Sequence, residues 1–165
     1  MKTVDKILPM CLNKVMRKSL TTYSIGSLLL VVFFSVQGIS HSGTENELVK
    51  ARMASMKNIA ANMKSLSKAS KGRVSFDLNE IKDRLAAIES SAAETPHLFE
   101  INATDPTSEA ASEIWENFQD FTDKAFSMES TAKRLIGSVA SAEDLAEAVK
   151  DLGGTCKSCH SKYRN

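Results

Sequence analysis

From Ile114 to Val139 the apolar residues fall at intervals that alternate between four and three without a miss: Ile114, Phe118, Phe121, Ala125, Met128, Ala132, Leu135 and Val139. Only a helix returns those positions to one side, and a heptad seam sustained for more than three repeats must lie against other helices. The chain offers three partners. Met56, Ile59, Met63 and Leu66 are spaced three, four, three, and Leu48 and Arg52 continue the stripe backwards. Leu78, Ile81, Leu85 and Ile88 form a second face, and Leu145, Val149, Leu152, Cys156, Cys159 and Tyr163 a third.

Start and stop signals divide these stripes into four helices. The first runs from about Glu45 to Ser70 and stops in SKGRVS, where Gly72 is the natural break. The second starts at Asp77, with Glu80 three residues on in a capping-box-like pair, and fades by Pro96. Residues 92–107 read as a loop bracketed by Pro96 and Pro106, with Leu98, Phe99 and Ile101 folding back over the core or a cofactor edge. The third runs from about Thr107 to Ala140, and the fourth starts at Ser141 with Asp144 three residues on. Short connections and one longer one predict an all-α, antiparallel up-down four-helix bundle. An isolated coiled coil is the alternative, and the interrupting loops argue for chain reversal instead. Aromatics at 6% fit an aliphatic, Met- and Ala-rich core.

Two positions of the last seam are cysteines, within Cys156-Lys157-Ser158-Cys159-His160. This C-x-x-C-H pattern is that of c-type haem attachment. Residues three and four apart share a helical face, so both sulfurs reach one porphyrin edge and His160 offers its imidazole to the iron as proximal ligand. A thioredoxin-like C-x-x-C would instead open a helix after a strand, and no strand pattern precedes this one. A zinc site needs roughly four ligands, and the other candidates are only Cys11, His41 and His97. Because the cysteines sit on the seam, haem would stand in the bundle where side chains otherwise fill the core. Gly153 and Gly154 leave room for a flat macrocycle or a close neighbouring helix, or else mark a kink.

Lys14, Arg17 and Lys18 precede a stretch from Ser19 to Thr44 without Asp, Glu, Lys or Arg, and IGSLLLVVFFSV at its centre has the length of a signal-peptide core. Residues 1–40 are therefore expected to be a signal peptide cleaved after Ser40, and residues 41–165 the folded domain. An uncleaved membrane anchor is the alternative, since the uncharged run is long enough to span; a cleaved leader leaves no stable membrane insertion. A start at Met16 would give a tidier leader. Cys11 precedes the apolar core and is not placed as a lipid anchor, and His41 beside the leader carries no inference. Either way the domain is exported, with a periplasmic location expected, and its only cysteines are the pair in the motif, as suits an oxidising compartment. The net charge of +1 gives no sign of nucleic-acid binding. No nucleophile–base pair stands out, so the chain is not expected to be an enzyme.

CKSCHSKYR (156–164), LVKARMASM in the first helix, FDLNEI at the second helix start and EIWENFQDF (113–121) together resemble the cytochrome c′ family, including its low-spin, Met-ligated relatives. The resemblance spans about Glu45 to Asn165. It implies one covalent haem c per chain, with His160 proximal, Arg164 close to it, Arg52 at a haem propionate and Met56 facing the distal side of the iron. Alternatives stay open for each. Arg164 could be a solvated helix-end cation, Arg52 could snorkel to solvent, and Met56 could be a distal ligand, a distal blocker or an ordinary core filler. Trp115, Phe118 and Phe121 read as packing rather than an electron wire, and His97 as a surface residue. The implied function is single-electron transfer with redox partner proteins, binding of NO or CO at the iron, or both. Homodimers through the first two helices occur in the family. A cofactor-free structural or partner-binding bundle is the alternative.

Overall fold

The computed structural model describes residues 43–165. The leader assigned to residues 1–40, its alternative as an anchor, and the side chains of Cys11 and His41 lie outside the described residues. The described chain forms α1 (Glu47–Ser70), α2 (Leu78–Phe99), a single turn α3 (Glu113–Glu116), α4 (Phe118–Ser138) and α5 (Ala142–Tyr163). The four long helices make an all-α bundle with a square section: α1 and α4 each touch α2 and α5, and neither diagonal pair is in contact. None of these helices is long and apolar enough to cross a membrane.

Local chemistry sets most of the ends. Asn46 caps α1 by accepting from the amides of Leu48 and Val49. Gly72 turns the chain at φ +63°, a left-handed conformation glycine adopts without steric cost. Asp77 caps α2 through the amides of Asn79 and Glu80, but Glu80 pairs with Arg84 rather than reaching back. Ser141 and Asp144 form the full reciprocal box at the start of α5.

Two expectations need correction. Helix α2 does not fade at Pro96; it continues through it to Phe99, burying Ser91, Ala92, Thr95 and Phe99 on the same face. Its terminal carbonyls are satisfied from elsewhere in the fold. Arg52 Nε donates to Leu98 O at 2.8 Å, and Trp115 Nε1 to Phe99 O at 2.8 Å. These tertiary caps offset the hydrogen bond proline cannot make. The third pattern is not one helix from Thr107. Residues 109–111 pair instead with the chain's C-terminus: Ala111 N donates to Tyr163 O at 3.1 Å and Asn165 N to Glu109 O at 2.9 Å. The helix then breaks at Asn117 (φ −130°, ψ 47°) before α4 begins. The seam survives the break, since Ile114 and Phe121 are both buried.

The core falls into two apolar clusters along the bundle. One is built on Leu66, Leu85, Ile88, Leu135, Leu145 and Leu152. The other, nearer the C-terminus of α5, holds Phe99, Ile114, Phe121 and Tyr163, with Cys159 packed against it. At that same end the Asp105 carboxylate ties the α2–α3 connector to the start of α1, accepting from the amides of Glu45 and Asn46 as well as from Thr107. Hydrogen bonds from Thr107 first, then from the two α1 amides, hold its pKa down at about 2. An unfolded carboxyl near ~4 binds its proton first, so the clasp is fully present above ~4 and is lost as pH falls towards 2. The amide resonances of Glu45, Asn46 and Thr107 should titrate together near that lower value. Titration at an ordinary carboxylate pKa would show that the clasp does not form.

Candidate functional site

Helix α5 runs unbroken through the motif, so Cys156 and Cys159 lie one turn apart, far from any helix start. Both are half-buried, and burial pushes both thiols above their usual pKa. A thiolate nucleophile needs the opposite shift and an electropositive, helix-opening position, which disposes of the thioredoxin-like reading. Among the described residues no group of three or more His, Cys, Asp or Glu side chains is gathered as a metal site would require.

Helical phase fixes where the motif faces. On α5, Ser158 accepts from Lys124 of α4, and Lys162 donates to Asp120 of α4. At about 100° per residue, Gly153, Cys156 and His160 then turn towards the opposite neighbour, α1. On α1, Asn58 donates to Ser91 of α2, and Asn62 accepts from Arg84 of α2. Met56 and Met63 therefore turn towards α5. Met56, Cys156 and His160 share the α1–α5 seam.

Three features of that seam suit a flat, largely apolar group bonded to the two sulfurs. A Cβ built on Gly153 or Gly154 would meet no atom within 4 Å, so the glycines leave space and no neighbouring helix crowds them. Helix α5 is held more loosely by α1 and α4 than α2 is by its neighbours. Half-buried Met56 joins neither apolar cluster, and buried Ile59 and Ala125 also lie outside both. The donor set agrees. The imidazole of His160 is exposed in part; its remaining burial, then the Arg164 cation, lower its pKa while Glu109 works against them. That favours the neutral ring, which is the metal-ligating form.

Arg52 is 3% exposed. Besides the bond to Leu98 O, its Nη1 donates to Ala103 O at 2.8 Å and its Nη2 to Ile101 O. Its guanidinium lies over the rings of Phe99 at 4.6 Å and Trp115 at 5.3 Å. It does not snorkel. Three of its five N–H donors hold the 98–103 segment, and two remain for a carboxylate such as a propionate. Arg164 is exposed, and Glu109 binds it through Nε at 2.8 Å. Trp115, Phe118 and Phe121 pack in the second cluster, with Phe99–Phe121 centroids at 5.0 Å. His97 is exposed and faces Glu100 at 3.3 Å.

Sequence reasoning did not find Asp120. Its carboxylate accepts from Tyr163 Oη at 2.5 Å and Lys162 Nζ at 3.0 Å, and those two bonds lower its pKa. The Tyr163 ring meets Phe121 edge-on at 5.4 Å. This latch holds the last turn of α5, directly after the motif, against α4. The only hint in the sequence was a tyrosine at a core position, whose hydroxyl must find a partner.

Comparison with known proteins agrees with this architecture. The family described as Cytochrome C′ matches residues 47–164. A cytochrome c-556 of Agrobacterium tumefaciens (strain B2A) is 36% identical over 117 residues, 70% of this chain and 95% of that protein. The structure of cytochrome c′ from Rhodopseudomonas palustris superposes with TM-score 0.69 at 26% identity, covering 73% of this chain and 98% of that one. Variants of cytochrome c prime from Alcaligenes xylosoxidans, solved as nitric oxide and carbon monoxide complexes, share the fold at TM-score 0.64 and 23% identity, covering 72% of this chain and 94% of theirs.

Proposed function

This chain belongs to the cytochrome c′ family of haem proteins, and from that premise we propose that it is an exported carrier of single electrons, with one haem c bound covalently by Cys156 and Cys159. The observation that carries the reading is the α1–α5 seam, towards which helical phase turns Met56 on one helix and His160 on its neighbour. When bound, the haem supplies a one-electron iron couple. The chain's residues do the rest. His160 would hold the iron through a neutral imidazole, and Met56 would offer it a thioether, a ligand type that raises the potential of haem iron. Arg52 holds the connector over the site with two donors to spare, and the second apolar cluster keeps water from one end. The role proposed is that of a periplasmic carrier rather than an enzyme, the cofactor carrying the chemistry.

The gas complexes of the Alcaligenes proteins support a second reading, in which Met56 only covers the distal face and NO or CO enters. Visible and EPR spectra of the periplasmically expressed protein, with and without CO, separate the two. The expected result is six-coordinate, low-spin iron that becomes five-coordinate and takes up CO in Met56→Ala. A spectrum indifferent to that substitution removes Met56 as ligand, and a missing Soret band removes the haem.

A further inference from the structure

We propose that the connector end of the bundle is a docking face for a positively charged redox protein, an inference that rests on the electron-carrier reading. Charge is divided sharply along the chain. Between Arg84 and Lys124 there are nine carboxylates and no lysine or arginine. This stretch includes the connector and α3, at the same end as the haem motif. The cations nearby are already engaged: Lys50 with Glu47, Arg164 with Glu109, and Lys124 and Lys162 with Asp120. Among the described residues, exposed Lys57 on α1 and Lys157 on α5 are exceptions. Glu45, Glu100, Glu113 and Glu116 remain as exposed acids around the connector.

Among those acids stands an apolar centre. Ile101 is 62% exposed and Leu48 39%. Both are tied to Arg52, which binds Ile101 O and sits one turn from Leu48 on α1. A buried cation thus fixes the backbone that presents an exposed isoleucine. An apolar centre with a rim of one charge is the anatomy of a protein interface. The carboxylate rim selects a lysine- or arginine-rich partner and speeds its approach. Docked there, the two proteins would exchange one electron, this protein being oxidised by one and its partner reduced by one.

The test uses the full-length haem-loaded protein and lysine-rich mitochondrial cytochrome c as the probe, with binding followed by calorimetry at low and high salt. The expected result is binding that weakens as salt is added. The triple variant Glu100→Gln/Glu113→Gln/Glu116→Gln should weaken it about tenfold at low salt. Ile101→Ser should weaken it by about tenfold at either salt. Lys68→Gln, at the other end of the bundle, should leave it unchanged. Affinity indifferent to both surface variants, or a face covered by a second copy of this chain, would overturn the proposal. Voltammetry of the same preparation keeps the two readings apart. A reversible one-electron couple without any preference for the basic probe removes the docking face alone, whereas no couple removes the carrier reading with it.

Discussion

Protein with Cys156→Ser and Cys159→Ser together should reach the periplasm without covalent haem, and its polypeptide mass should equal that of the bare processed chain. Serine keeps the shape of each side chain, and both sites are only half-buried on a continuous helix. The helix itself should therefore survive, and the lost function should trace to the missing bonds alone. Each single variant keeps one sulfur and should retain haem by a single thioether, in lower yield. The measurement is intact mass together with haem extraction into organic solvent. Haem that resists extraction from the double variant would show that the two sulfurs are not its attachment points.

Arg52→Met should destabilise the bundle by about 3 kcal/mol, on the order of 10 °C in melting temperature for a domain of this size. Methionine keeps much of the stem over Phe99 and Trp115 but removes three charge-assisted bonds to Leu98, Ile101 and Ala103. Three carbonyls abandoned deep in a core would cost more. These lie at the end of α2 and in the connector, where two of the three residues reach the surface in part, so water can take up part of the loss. The last turn of α2 beyond Pro96 should fray, which hydrogen exchange at Phe99 and Glu100 would report. Thermal unfolding indistinguishable from the unaltered protein would mean that the connector does not depend on this guanidinium.

The bundle was legible because its signals are local and periodic. The seams at Met56–Leu66, Leu78–Ile88, Ile114–Val139 and Leu145–Tyr163 need only helical geometry, and caps such as Asp77 and Ser141 act within three residues. The haem motif was legible for the same reason, since its two sulfurs and imidazole are set by one turn of one helix. The shortfalls came where distant groups overrode local preference. Proline at 96 signalled an end that Arg52 and Trp115 postponed, and a helical pattern after Thr107 yielded to pairing with Tyr163 and Asn165.

What this sequence determined by itself is four helices, their buried stripes and the face on which the cysteines lie, because each depends on contacts within a turn or two. Only the tertiary structure decided that α1 and α5, the helices of Met56 and His160, stand side by side, that Arg52 holds the end of α2, 46 residues away in sequence, and that Asp120 latches the last turn of α5. Those depend on which helix stands beside which. Burying a charge or a hydroxyl is tolerable only once a partner from another element arrives to satisfy it.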